Sequence, residues 1–510
     1  MLVKVKSCAL LGLDAFEVEV EVDSSRGLPG QTIVGLPDAA VKESRDRIKA
    51  AIVNSGFEYP SNYFTINLAP ADTKKVGPMY DLPIAIGMLA SVEKVKPDSL
   101  NGNVIFGELS LDGGVRPVAG ALPICISMKE RGFKKVMVPR ENAHEAGVVE
   151  GLEIIPVETI SQAMKYLNGE ERIEPAKTDI KALFESKDDL GLDFSEVKGQ
   201  SHAKRALEIA AAGGHNILMV GPPGSGKTML AKRIPSILPP LSIDEALEVT
   251  KIYSVMGLLN SKATLITKRP FRSPHHTTSD IGIVGGGRMP RPGEISLAHM
   301  GVLFLDEFPE FERSVLEVLR QPIEDGMVTI SRALASVTYP AQFMLIAAMN
   351  PCPCGNFMDS VKQCTCAPSK VGNYWAHLST PILDRIDLHV EVPRLKQNEL
   401  TNQKLGEPSG VIRERVASAR RLQLKRFKGT KIYSNSLMTP KHIREVCELE
   451  SDAEELLKSA IFQLKLSARA YDRILKVART IADLEGEESI KARHIAEATQ
   501  YRSLDRGGRL

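Results

Sequence analysis

"GPPGSGKT" (Gly221–Thr228) fills every fixed position of the pattern G-x-x-x-x-G-K-[ST]. It lies between an apolar run, His215–Val220, that reads as a buried strand, and a helical run beginning at Met229. Glycines in such a turn let backbone N–H groups close around phosphate oxygens, Lys227 carries a positive charge to the β and γ phosphates, and Thr228 offers a hydroxyl to Mg2+. Gly221, Pro222, Pro223, Gly224, Ser225, Gly226, Lys227 and Thr228 are therefore the expected nucleotide cradle. A chance glycine turn would not bring the flanking strand and helix with it.

Further along, "GVLFLDEF" (301–308) is an apolar strand that ends in two carboxylates. Beside a phosphate loop, Asp306 is expected to complete the Mg2+ shell and Glu307 to polarise an attacking water; alone, the pair would read as a solvated strand end. "FMLIAAMN" (343–350) is a third buried strand, and its terminal Asn350 would emerge next to those carboxylates, placed to orient the water or touch the γ phosphate. "PILDRIDLHVEV" (381–392) sets Arg385 between two aspartates at the mouth of another apolar strand, where the plain alternative is an ion pair with Asp384 or Asp387. Apolar runs alternating with helical stretches over 195–393 predict an α/β domain with a parallel sheet covered by helices. The remainder, 394–510, is rich in Ala, Leu, Lys, Arg and Glu and predicts a small helical domain.

A chain of 510 residues is too long for one core, and 43% apolar with 25% charged residues is a soluble globular composition. The opening stretch alternates through Phe16, Val18, Val20 and Val22, a strand and not an export signal. No apolar run approaches the roughly 18 residues needed to cross a bilayer. Seven cysteines without an export signal point to a reducing cytoplasm. The net charge of +2 is silent on nucleic acid, so any such binding must come from local patches. Residues 1–168 mix strands and helices; Asp38 opens a helix with Val41, Ile48 and Ile52 on one face. Residues 169–194, charged and aperiodic around Pro175, read as a linker.

Four cysteines follow Asn350 in "MNPCPCGNFMDSVKQCTC" (349–366). Cys352, Cys354, Cys364 and Cys366 form C-x-C-x9-C-x-C within an insertion spanning 351–370, and four thiolates can complete a tetrahedral Zn2+ site. The competing reading, reduced thiols as small core residues, sits poorly with Pro351, Pro353, Asp359 and Lys362. Basic residues gather in three segments: the glycine-rich 267–293 with His275 and His276, a hairpin over 324–342 carrying Arg332, and the run 411–431 with Arg420 and Arg421. His275 and His276 could ligate a metal, but adjacent histidines in a polar loop are more often hydrogen-bonding or phosphate-contacting. The third segment reads equally as a solvated helix face or as a nucleic-acid contact, and Arg332, Arg420 and Arg421 are the expected DNA contacts.

The succession of octet, Asp-Glu strand, strand ending in Asn and "LDRID" resembles the AAA+ ATPases. "PFRSPHHTTSD" (270–280), "GEISLAHMGVLFLDE" (293–307), "AAMNPCPCG" (347–355) and "SARAYDRILKVARTIADLEG" (467–486) resemble its magnesium-chelatase-like branch, and within it the ComM/YifB family, over nearly the whole chain. That resemblance implies a homo-hexameric ring using ATP and Mg2+, with Arg385 as a finger on the neighbour's nucleotide. It further implies that Arg469, or Arg473 one turn on, senses nucleotide from the helical lid. It also implies branch migration on single-stranded or branched DNA in recombination or natural transformation, beside recombination proteins and away from membranes. The alternatives are a magnesium-chelatase-type subunit and a protein-remodelling chaperone. "INLAPADTKKVGPMYDLPIAIGMLAS" (66–91) and "GELSLDGGVRPVAGALPICISMKERGFKKVMVP" (107–139) are similar to the Lon-protease type of ribosomal-S5-like fold, implying an α+β first domain. Met79 stands where that family has its serine, and Leu122 near the place of its lysine. Neither side chain can attack a carbonyl or carry a proton, so no peptidase activity is expected.

Overall fold

The structure is a computed structural model. It describes residues 1–185, 191–259, 264–333, 335–357, 359, 361–395, 406–430, 432–464 and 467–502. The chain divides into two compact units, Met1–Ser186 with Ile243–Thr267, and Lys187–Ser242 with Lys268–Leu510.

The first unit carries β1 (Leu2–Leu11), β2 (Asp14–Ser25), β3 (Gly30–Val34), β4 (Tyr63–Ala69), β5 (Asn103–Ile105), β6 (Glu108–Leu109), β7 (Val115–Arg116), β8 (Lys135–Pro139) and β9 (Glu153–Val157). Seven of them form one mixed sheet in the order β3-β4-β2-β1-β5-β8-β9, and β6 pairs with β7. The alternation read at the amino terminus is two-faced. Val18, Val20 and Val22 are buried, while Glu17, Glu19 and Glu21 meet Lys4 and Lys6 across the β1–β2 ladder. The helix Ala39–Asn54 is capped as its sequence predicts, with the Asp38 carboxylate accepting from the Val41 N–H at 2.9 Å. Met79 and Leu122 are both buried in the apolar core.

Two segments lie elsewhere than the sequence suggests. The start of the expected linker runs along β9, where the Ala176 N–H donates to the Ile154 carbonyl at 2.8 Å. The helix Ile243–Val255, expected within the 195–393 domain, packs in the first unit. Its Ala246, Val249 and Ile252 are buried, and its Ser254 hydroxyl donates to Glu145 at 2.6 Å. An apolar helix face has no label for the core it joins, and sequence order does not supply one.

The second unit carries β10 (Ile217–Val220), β11 (Phe271–Arg272), β12 (Gly285–Gly286), β13 (Arg291–Pro292), β14 (Val302–Leu305), β15 (Met327–Arg332), β16 (Ala335–Pro340), β17 (Met344–Met349) and β18 (Leu388–Glu391). β11-β14-β17-β10-β18 form a sheet in which every pair is parallel. Every residue of β10, β14 and β17 is buried, which is why these strands read as unbroken apolar runs. β17 lies between β10 and β14, so the loops leaving the three strands open side by side at one edge. Helices Ser409–Arg426, Ala468–Glu485 and Ala492–Gln500 add Ile412, Val416, Ile474, Ile481 and Ile495 to the same core as the sheet.

Candidate functional site

The octet leaves β10 and turns into the helix Lys227–Arg233. A Cβ on Gly221 would sit 2.1 Å from the Val392 carbonyl oxygen, and Gly224 and Gly226 hold φ of +77° and +96°. The three glycines are thus set by a close approach and a left-handed turn. Inside the turn, the Lys227 ammonium donates to the carbonyls of Gly221 (2.6 Å) and Pro222 (3.1 Å) and to Asn350 Oδ1 (3.2 Å). Burial pushes its pKa down to about 8, against the attraction of Asp306. The buried Ser225 hydroxyl has no hydrogen-bond partner. A buried ammonium with only neutral partners beside an unsatisfied hydroxyl fits an anion such as a triphosphate.

Thr228 Oγ1 donates to Asp306 Oδ2 at 2.6 Å, so the two expected Mg2+ ligands already touch, and their hard oxygens suit that ion. Glu307 follows with a φ of +53°, uncommon for a residue with a Cβ and costing on the order of 1 kcal/mol. Its carboxylate is half-exposed and lies 3.1 Å from His276 Nδ1. That histidine, noted in the sequence only as a polar-loop residue, is a contact that sequence reasoning missed. Gln200 is another, its amide donating to Ser225 O (3.2 Å) and Pro393 O (2.6 Å) across the loop.

Arg385 is 8% exposed; its guanidinium pairs with Glu324 at 2.7 Å and donates to Pro381 O at 2.7 Å. The plain alternative from the sequence, a pair with Asp384 or Asp387, is corrected: Asp387 instead meets His215 Nδ1 at 3.2 Å and Arg473 Nε at 3.6 Å. Burial works against the Asp387 charge, but the His215 hydrogen bond and the nearby cations hold its pKa well below the usual range. Arg469 is exposed on the first turn of its helix, whereas Arg473 reaches the Ile386 carbonyl and Asp387 ahead of β18, at the edge of the sheet opposite the octet.

Two of the three basic segments converge. Tyr339 of the β15–β16 hairpin donates to Pro290 O at 2.7 Å, and a Cβ on Gly286 would lie 3.3 Å from the Arg332 guanidinium. Glycines in β12 therefore let that strand pack close against the hairpin, leaving Arg288, Arg291 and Arg332 exposed. The third segment behaves differently. Arg415 pairs with Glu208 and Glu407, Arg426 with Asp483, and Arg420 donates to Tyr433 O (3.1 Å) and Ala211 O (3.0 Å). Arg420, expected from the sequence as a nucleic-acid contact, is half-buried with its guanidinium bridging two carbonyls of its own unit. Arg421 is exposed; Lys431 lies outside the described residues.

The four cysteine sulfurs all lie within 4.8 Å of one another. Cys352 is 3.3 Å from Cys354 and 3.7 Å from Cys364, and Cys354 is 3.6 Å from Cys364. Backbone N–H groups of Asn356 and Thr365 aim at Cys354 and draw its pKa down, while the neighbouring sulfurs push the Cys364 and Cys366 thiols up.

A phosphate loop at the end of one parallel strand, a carboxylate pair at the end of a second and an asparagine between them define a P-loop protein of the AAA+ type. Family models agree: residues 193–400 match "Magnesium chelatase, subunit ChlI", 20–142 match "Subunit ChlI of Mg-chelatase" and 406–502 match its C-terminal region. The chain is 46% identical to YifB of Escherichia coli, covering 98% of this chain and 96% of that one. It is 44% identical to the competence protein ComM of Haemophilus influenzae, covering 98% and 97%. Lon protease 2 of Bacillus subtilis is 26% identical over 163 residues, 29% of either chain. The chain belongs to the ComM/YifB family of magnesium-chelatase-like AAA+ ATPases.

Proposed function

We propose that this protein is a ring-forming motor, most simply a hexamer, that couples ATP hydrolysis to movement on DNA. Its product would be branch migration in recombination or natural transformation. The observation that carries this reading is the pair of packed hairpins holding Arg288, Arg291 and Arg332 exposed on the ATPase unit, where ATP chemistry itself has no use for them. The name of the Haemophilus relative, a competence protein, supports it. No helix among the described residues is long and apolar enough to cross a membrane.

In this reading the octet cradles the triphosphate, and Lys227 exchanges its carbonyl partners for phosphate oxygens. Thr228 and Asp306 would hold Mg2+, which neutralises charge on the phosphates. Glu307 takes the proton of the attacking water once it leaves His276, and Asn350 orients that water. Arg385 serves a neighbouring subunit after release from Glu324, and Arg469 or Arg473 reports nucleotide to the helical domain. The first unit is a Lon-type fold without catalysis: Met79→Ser should give no peptide cleavage, because Leu122 supplies no base.

The test is the ATPase rate with and without single-stranded, duplex and branched DNA. Stimulation by DNA that Arg332→Ala loses while the basal rate stays supports the motor. A rate unmoved by every DNA form, in wild type and variant alike, favours a chelatase-type subunit or a protein remodeller.

A further inference from the structure

We propose that Cys352, Cys354, Cys364 and Cys366 hold one zinc ion, and that this ion fixes the phosphate loop from outside, so that zinc occupancy sets nucleotide affinity. The inference rests on the reading of Gly221–Thr228 as a nucleotide site. Zinc–thiolate bonds of about 2.3 Å in a tetrahedron place sulfurs about 3.8 Å apart. The separations of 3.3, 3.6 and 3.7 Å among Cys352, Cys354 and Cys364 lie close to that edge and far from the roughly 2.05 Å of a disulfide. The Phe357 N–H also points at Cys352 Sγ (3.3 Å), an outer-shell contact that orients a ligating sulfur.

The cysteine loop touches the octet at one place and is tied to neighbouring segments at two more. Gly355, directly after Cys354, runs so close to the octet that a Cβ on it would lie 2.4 Å from Pro223 Cδ. Pro351, directly after Asn350, accepts a hydrogen bond from the Trp375 indole at 2.9 Å. Asp359 pairs at 2.8 Å with Arg394, just beyond the β18 segment whose Val392 carbonyl crowds Gly221. Pro351, Cys352 and Gly355 are buried, while Val361 and Lys362 on the far side of the loop are exposed. A cation shared by the four sulfurs would pin the turn in which the Gly355 N–H donates to the Cys352 carbonyl at 2.9 Å, and with it the approach of Gly355 to Pro223. Because coupling is reciprocal, nucleotide should in turn retain zinc.

Trp375 is the chain's single tryptophan, so its fluorescence reads the loop directly. The full-length protein would be compared as purified, after chelation and after zinc is restored. Zinc content, Trp375 emission and the Kd of a fluorescent ATP analogue would be measured for each. We expect one zinc per chain, a shift in emission on its removal, roughly tenfold weaker nucleotide binding that zinc reverses, and slower zinc loss when ATP is present. Cys364→Ser should reproduce the depleted state. Gly355→Ala should keep its zinc yet bind nucleotide more weakly, separating the contact with Pro223 from metal loss. Absence of zinc, or zinc removal with an unchanged Kd, overturns the proposal while leaving the nucleotide site standing. Zinc-loaded protein that binds no ATP would instead overturn the nucleotide-site reading, and the coupling with it.

Discussion

Asp81 in the first unit and Lys227 in the second are both buried charges on the first residue of a helix, yet folding provides for them in opposite ways. Asp81 receives the Arg47 guanidinium through Nε at 2.8 Å and a second nitrogen at 3.1 Å, and the Leu109 N–H at 3.3 Å. Lys227 has two carbonyls and an amide oxygen, and among the described residues no carboxylate within ion-pair reach. Beside it Ser225 keeps a buried hydroxyl without a partner. A buried charge that the fold matches with an opposite charge belongs to the architecture. One left with neutral partners is arranged for something that arrives later. The same contrast separates Met79 and Leu122, absorbed into an apolar core, from Asp306 and Glu307 at an open sheet edge.

The strongest way to break this comparison is to remove each charge and measure both folding and chemistry. Lys227→Ala and Glu307→Gln should each lower ATP turnover by about 10^3-fold with little change in Tm, since Lys227 has neutral partners and Glu307 meets His276 from a half-exposed position. Asp81→Ala should leave turnover of the folded protein intact but cost about 3 kcal/mol of stability, because it strands Arg47. Thermal unfolding and steady-state hydrolysis on the same preparations decide it. Equal stability losses for Lys227→Ala and Asp81→Ala, with hydrolysis retained, would erase the distinction.

A smaller effect sharpens the comparison within the basic helix, where adjacent arginines differ. Arg420→Ala should cost about 1–2 kcal/mol, from two carbonyls that lose a charged donor. Arg421→Ala should leave Tm unchanged and, if the helix tracks a phosphate backbone, lower the log-log salt slope of DNA binding by about 0.9. Matching Tm losses for the two variants would show that exposure does not separate them.

These pairs also mark what could be read from the sequence. The octet, the Asp-Glu strand and Asn350 were legible because each rides on an apolar strand, and parallel pairing brings their ends to one edge without further information. The four cysteines were legible from spacing. Arg420 was not, because a helix of mixed charge says nothing about which arginines meet carbonyls of Ala211 and Tyr433. The contact of His276 with Glu307 was hidden as well: it spans 31 positions and depends on the path of an insertion without periodicity. The packing of the helix Ile243–Val255 in the first unit was hidden for a similar reason, since its apolar face suits either core.

The mildest prediction concerns pH and uses the two buried charges as separate probes. Burial has drawn the Lys227 pKa down to about 8 in the free protein. Phosphate charges beside the ammonium would raise it again, so binding above pH 8 takes up a proton, and affinity must fall as pH rises through that value. The slope should approach a tenfold loss of ATP affinity per pH unit between about pH 8 and 9.5, and vanish below pH 7, where Lys227 is already charged. Asp81 responds in another window and with another observable. Burial pushes its pKa up to about 6 in spite of Arg47, above the roughly 4 of an unfolded chain. The folded state then holds more protons between pH 4 and 6, so the Asp81 contribution to stability declines as pH rises through that range and is level above it. Titrating nucleotide affinity from pH 7 to 9.5 should therefore give a slope that Asp81→Asn leaves in place, while Lys227→Arg, whose charge does not titrate there, flattens it. A slope that persists in Lys227→Arg would place the titrating group elsewhere and remove Lys227 as the charge that awaits the phosphate.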